Sequence, residues 1–185
     1  MQLQPRPSRV YSGVHVVGAD PPTPGLADVP DTIAGRTMAP MSSHPSSGPG
    51  IRPIDLEIEL PVDASVAWRA VTDPDRVIDW FTSASPVGPV GSVYRLDFGD
   101  GSVVSGEVVG LEPGHRFVHR WHWDGADDAE TTMVDWTVAP AVGGSMIRLV
   151  HSGWAEAGLD EAARDDHEGY WAGYLEDLRD LLSGA

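Results

Sequence analysis

Residues 159–182, LDEAARDDHEGYWAGYLEDLRDLL, set the frame for everything upstream of them. Trp171, Tyr174, Leu175, Leu178, Leu181 and Leu182 recur at helical spacing, and Glu168, Glu176, Asp177 and Asp180 take the opposite side. That period predicts a long amphipathic helix whose apolar stripe must lie on another apolar surface. At ~1.5 Å per residue the helix would run roughly 35 Å, enough to cross a whole sheet. Gly169 and Gly173 interrupt it, each costing ~1 kcal/mol against alanine. They would either let the helix approach a sheet closely or let it bend.

The sheet is written upstream of the helix. In Ile54–Leu60, Ile54, Leu56, Ile58 and Leu60 alternate with Asp55, Glu57 and Glu59, giving a strand with one dry face and one acidic face. Asp63 stands where it would cap a short helix carrying Ala64, Ala67, Trp68 and Val71 on one side. Thr72-Asp73-Pro74 then reads as a stop and a restart, with Asp73 at the N-cap and Pro74 at the first helical position. This second helix ends near Ile78, Trp80 and Phe81. Five further strand-like runs follow: Val93–Phe98, Ser102–Leu111, Arg116–Trp123, Thr131–Ala139 and Ser145–His151. Asp100-Gly101, Pro113-Gly114 and Gly143-Gly144 supply turns. Arg116–Trp123 alternates cleanly, with Phe117, His119, Trp121 and Trp123 opposite Arg116, Val118, Arg120 and His122, whereas Ser102–Leu111 has no clear parity. The expected architecture is α+β: an antiparallel meander of about six strands, two short helices after the first strand, and the long helix last.

Composition narrows what such a chain can do. Apolar residues make 41% and charged residues 22%, an ordinary globular balance rather than that of a wholly disordered chain. The 28 acids outnumber the 12 basic residues, all arginine, so the formal charge is −16. A polyanionic partner, whether a nucleic-acid backbone or an anionic membrane surface, is therefore not expected. Cysteine is absent, which removes disulfides, thiolate catalysis, iron–sulfur clusters and cysteine-ligated zinc together. That fits a cytoplasmic setting. No apolar stretch approaches the ~20 residues of a membrane span. Residues 1–50 are different: they hold nine prolines, six glycines, six serines and one aromatic, Tyr11, and their charges cancel. They read as a disordered tail ahead of a domain over residues 51–185, or as upstream sequence if translation begins at Met38 or Met41.

The order strand, two short helices, antiparallel strands, long C-terminal helix resembles the helix-grip fold of the START-like (SRPBCC) superfamily. More narrowly, the residues resemble those of the family of activator of heat shock protein 90 ATPase homologues. The matching pieces are Trp68 with Thr72-Asp73-Pro74, Trp80-Phe81, Gly91 before Tyr94 and Phe98, and Gly106-Glu107-Val108 leading to Glu112-Pro113 and Arg116-Phe117. They continue through Trp121, Trp136 and His151-Ser152-Gly153-Trp154 to Gly169-Tyr170-Trp171. Their order and spacing over residues 52–184 carry the resemblance. The family's glycine pair before the second strand stands here as Val90-Gly91. The resemblance implies a curved sheet gripping the long helix, with a cavity between them. Members of the superfamily bind hydrophobic small molecules there, and some catalyse cyclisation or dehydration of polyketides.

Strand parity and helical spacing point one aromatic set inward: Trp80, Phe81, Tyr94, Phe98, Phe117, Trp121, Trp123, Trp136, Trp171 and Tyr174. Aromatic rings suit a ligand pocket, and equally they suit a core in which they pack only on one another. His119 and His151 also face inward. They would be an acid–base pair near neutral pH, or histidines buried against a tyrosine or indole. The expected cavity lining is therefore Trp80, Phe81, Tyr94, Phe98, Phe117, His119, Trp121, Trp136, His151, Trp171 and Tyr174. His167 on the helix is a further partner if the fold brings it near. A metal site is not expected, because His119 and His122 face opposite ways and no inward carboxylate completes a set. No cofactor motif is present. Arg95, Arg120 and Arg148 fall on the outward parity and are expected to pair with surface carboxylates. Asp127-Asp128 and Asp165-Asp166 read as solvated acids. Three functions remain: binding of a hydrophobic or amphipathic small molecule, a cyclase or dehydratase using the same cavity, and a chaperone-associated or stress-response interaction protein.

Overall fold

The computed structural model describes residues 50–184. The expected tail, apart from Gly50, and any start at Met38 or Met41 fall outside the described residues. Ten elements follow in order: β1 (Ile54–Leu60), α1 (Ala64–Thr72), α2 (Pro74–Val77), β2 (Ser83–Ala84), β3 (Val93–Asp97), β4 (Val103–Glu112), β5 (Arg116–Trp123), β6 (Thr132–Ala141), β7 (Gly144–Ser152) and α3 (Glu161–Ser183). The strands form one seven-stranded sheet in the order β1-β7-β6-β5-β4-β3-β2, antiparallel at every pairing. The two short helices carry the chain from one edge of the sheet to the other. From there it meanders back until β7 lies beside β1, pairing Ile54 with His151 and Leu60 with Ser145.

Local chemistry accounts for the boundaries. Asp73 accepts a hydrogen bond from the Asp75 amide at 3.1 Å, and Pro74 opens α2. Asp63 occupies the N-cap position of α1, but its side chain makes no capping bond; its backbone carbonyl instead accepts from the Val66 and Ala67 amides. Asp160 caps α3 by accepting from the Ala163 amide at 2.9 Å, and Gly184 closes it in the left-handed region at φ 73°. The seventh strand, β2, is only two residues long and pairs with Asp97 and Leu96. It lies in a proline-containing stretch with no alternation to betray it. β4 lacks parity because its register with β5 shifts between Val108 and Gly110, and that irregularity exchanges its faces part-way along.

The inward faces and the helices bury one core. It includes Ile54 and Leu60 of β1, Phe117 and Trp121 of β5, Val134, Trp136 and Val138 of β6, Ile147 and Leu149 of β7, and Trp171, Leu175 and Leu178 of α3. Ile78 is exposed instead of joining Trp80 and Phe81, because α2 ends before it. At Gly144 a Cβ would collide with the Leu60 carbonyl, so glycine is required where β7 starts against the end of β1. Gly169 and Gly173 are different: an added Cβ meets no atom within 4 Å at either. Neither is there to bring α3 close to the sheet.

Candidate functional site

Nine side chains surround a small enclosed space beneath α3: Val71, Val77, Trp80, Phe81, Tyr94, Leu96, His119, Trp136 and Trp171. Its volume is about 10 Å³, room for one water molecule. The rings themselves occupy the place where the resemblance puts an open cavity. Trp136 meets Trp80 edge-on at 6.2 Å between ring centroids and Trp171 edge-on at 5.6 Å, and Phe81 lies 5.3 Å from Trp171. Six of the eleven expected lining residues border this space: Trp80, Phe81, Tyr94, His119, Trp136 and Trp171. Val71, Val77 and Leu96 join them. The helical stripe through Val71 and the inward parity of Leu96 were the available signals.

His119 is buried, and its Nδ1–H donates to the Arg120 carbonyl at 2.9 Å. A carbonyl only accepts, so Nδ1 carries the proton and Nε2 keeps a free lone pair. No other hydrogen bond reaches this ring among the described residues. Burial pushes its pKa down to about 4, against the smaller opposing effect of the Arg120 carbonyl. Tyr94 lies 4.9 Å away ring to ring, and burial raises its phenol well above the ordinary tyrosine value. Both polar residues bordering the space are thus uncharged at neutral pH. Phe117 stacks behind them, 5.7 Å from His119 and 6.2 Å from Trp136.

His151 has a different place. It does not border the space, and both of its ring nitrogens are engaged. The Trp171 Nε1–H donates to Nδ1 at 3.1 Å, so Nδ1 is unprotonated. The proton therefore sits on Nε2, which donates to Thr132 Oγ1 at 2.7 Å, and that hydroxyl reaches the Trp121 carbonyl. The His151 carbonyl accepts from the Trp154 indole at 3.0 Å. One residue of β7 thereby ties α3, β6 and the segment after β7 together. Desolvation, followed by repulsion from His167 and His119, drives its pKa well below the histidine value. Trp121 packs against both inward histidines, 6.2 Å from His119 and 5.6 Å from His151 between ring centroids. His167 does approach, 5.7 Å from His151 and 5.0 Å from Trp154. Its Nδ1–H donates to the Ala163 carbonyl at 2.8 Å, and burial lowers its pKa. Thr132 carried no sequence signal, since a threonine on a strand is ordinary.

Trp121 is the odd member of this inner cluster. It is 4% exposed, yet its Nε1–H has no acceptor among the described residues. Phe98 and Tyr174, with Trp123, lie half-buried along a seam between α3 and the ends of β3 and β5. Phe81 bridges them, 5.6 Å from Phe98 and 4.7 Å from Tyr174, and Phe98 sits 5.5 Å from Trp123. On the outer face Arg95 pairs with Asp124 at 3.0 Å and Arg148 with Asp55 at 2.6 Å. Arg120 is a correction: it is exposed and forms no ion pair among the described residues. Also among these residues, no three His, Asp or Glu side chains gather as metal ligands, and no helix is long and apolar enough to cross a membrane.

Comparison with known proteins agrees with this architecture. DynU16, a protein of the dynemicin biosynthetic locus, is 28% identical with a TM-score of 0.63; the match covers 71% of this chain and 48% of DynU16, so the chain spans about half the length of that relative. Protein MLL2253 from Mesorhizobium loti is 23% identical with a TM-score of 0.64, over 72% of this chain and 98% of its own. The Aha1 dimer from Colwellia psychrerythraea is 22% identical with a TM-score of 0.60, over 71% and 96% respectively. None of the curated proteins compared with the chain matches it. Residues 61–183 fit the family model of Activator of Hsp90 ATPase homolog 1-like proteins, and with the helix-grip arrangement of sheet and C-terminal helix this places the chain in that family.

Proposed function

We propose that the domain takes up a hydrophobic or amphipathic small molecule between the sheet and α3, and that the one-water space is the closed form of that site. Ligand pockets are typically ~300–1,000 Å³, so a guest must part the rings that now interlock. The carrying observation is the unmatched polar capacity of the interior. Among the described residues no hydrogen bond reaches His119 Nε2 at the edge of the space, and deeper in the same cluster the buried Trp121 N–H, which does not border the space, has no acceptor. Native interiors pair almost all such groups, and a polar guest group is one way to complete the set. The means of opening is also at hand: Gly169 and Gly173 weaken α3 above the space without serving its packing. A panel of flavonoids, fatty acids and polyketide-like aromatics tests the reading. At least one should quench tryptophan fluorescence and raise the melting temperature. If none does either at its solubility limit, the reading fails.

A cyclase or dehydratase acting in the same space is the second reading. It is favoured by the likeness to DynU16 of the dynemicin biosynthetic locus and by His119 and Tyr94 at the space. A linear polyketide mimic would be converted by the native protein and only bound by a His119→Gln variant; equal conversion by both would remove His119 from the chemistry. A chaperone-associated role has weaker support. Its cue would be an apolar patch on the outer sheet face, where Arg95, Arg116 and Arg148 instead engage Asp124, Asp135 and Asp55.

A further inference from the structure

The lining of the enclosed space contains hydrocarbon, aromatic rings and two polar residues, His119 and Tyr94; among the described residues no Arg, Asp or Glu borders it. A carboxylate carried under α3 would therefore lie desolvated with no cation beside it, which is among the costliest arrangements in a protein interior. The net charge of −16 opposes an anion's approach as well. What the interior does present is a lone pair at His119 Nε2, fixed as an acceptor because Nδ1–H is committed to the Arg120 carbonyl. A donor borders the same space: Tyr94 lies beside His119, 4.9 Å away between ring centroids, and its phenol can both give and receive a hydrogen bond. An acceptor beside a donor is matched by a hydroxyl, which gives one hydrogen bond and receives others. A ketone or ether would leave the His119 lone pair unmet.

Resting on the ligand-binding reading above, we propose that the guest is an uncharged ring compound whose hydroxyl donates to His119 Nε2, and that carboxylate ligands of fatty-acid type are rejected. The aromatic walls favour a flat ring that stacks on them. At neutral pH His119 does not turn into the cation an acid would need, since burial holds its pKa at about 4.

Three matched probes test this by calorimetry at pH 7.5: 2-naphthol, 2-methoxynaphthalene and 2-naphthoate. The expected order is 2-naphthol bound at least about tenfold more tightly than the methyl ether, the value of one well-made hydrogen bond, and no binding of the naphthoate. Equal affinity for naphthol and its ether overturns the hydroxyl pairing and leaves the ligand site standing. Naphthoate binding as tightly as naphthol overturns the exclusion of anions. Binding of none of the three overturns the ligand-binding reading itself, and this proposal with it. A His119→Phe variant should erase the preference for naphthol over the ether while still binding the ether; a preserved preference would count against the proposal. Should that variant fail to fold, ¹⁵N-histidine spectra of the native protein serve instead. Naphthol must move the His119 Nε2 resonance as a hydrogen-bond acceptor and the ether must not; identical responses would contradict the pairing.

Discussion

At the scale of single residues, two buried histidines, His119 and His151, and the partly buried His167 set how the protein responds to acid. His119, His151 and His167 all have pKa values lowered chiefly by burial. The unfolded chain protonates such rings near 6.5, whereas the folded chain resists until the pH is much lower. Native stability is therefore complete above about pH 6.5 and declines as pH falls from there toward 4. His119 alone, moved from 6.5 to about 4, accounts for on the order of 3 kcal/mol across that window. The outer-face carboxylates act later. Asp55, held low by the Arg148 guanidinium, and Asp124, held low by the Ser105 hydroxyl and Arg95, contribute stability above the ordinary aspartate value that is lost only as pH drops through their lowered ones. Melting temperature at pH 7.5, 6 and 5 should thus fall before Asp55 and Asp124 titrate, and less steeply in His119→Gln; a flat profile down to pH 5 would mean that the rings are not buried neutral. A second expectation concerns the bond that fastens α3 to β7. Trp171→Phe removes the donor to His151 Nδ1 and leaves a buried acceptor unmet, so urea denaturation should register a loss of about 1–3 kcal/mol. Neither effect can be read from the letters alone. Parity says that His119 and His151 point inward, but which nitrogen is free and which is tied depends on how the His119 ring turns onto the neighbouring Arg120 carbonyl and on Thr132 and Trp171 arriving from other parts of the chain.

At the scale of elements, α3 is the clamp over the site, and two glycines lower its helix propensity. Its start is fastened by Asp160 and by Arg164, whose guanidinium engages Glu168 and Asp165 and the carbonyls of Arg52 and Pro53. Its middle carries two glycines with open space beside them. Gly169→Ala and Gly173→Ala should each stabilise the fold by up to about 1 kcal/mol, because a helix gains propensity and no clash arises. If α3 must yield for a guest to enter, the double variant should also slow ligand uptake in stopped-flow mixing; faster or unchanged uptake would separate the glycines from opening. Elements were legible in proportion to their length and regularity. β5 shows its faces in RFVHRWHW, and the cap and proline of α2 stand in Thr72-Asp73-Pro74. β4 was opaque because the register shift at Val108/Gly110 breaks a period of two, and β2 because two residues hold no period at all.

At the scale of the molecule, a curled sheet and a long helix close on a space too small for anything but water, ringed by aromatic side chains. The helix-grip arrangement was readable because element order survives in sequence; the interlocking of Trp80, Trp136 and Trp171 was not, since facing inward does not say how far apart rings settle. The account therefore rests on one claim, that these rings part to admit an uncharged guest. The chain's seven tryptophans allow a direct test, because each indole N–H gives its own signal in a ¹H–¹⁵N spectrum. On titration with 2-naphthol, the signals of Trp80, Trp136 and Trp171, which border the space, should shift and saturate, while that of Trp68, which does not border it, stays in place. All seven signals unmoved at the highest soluble concentration, or a response confined to Trp68, would contradict it.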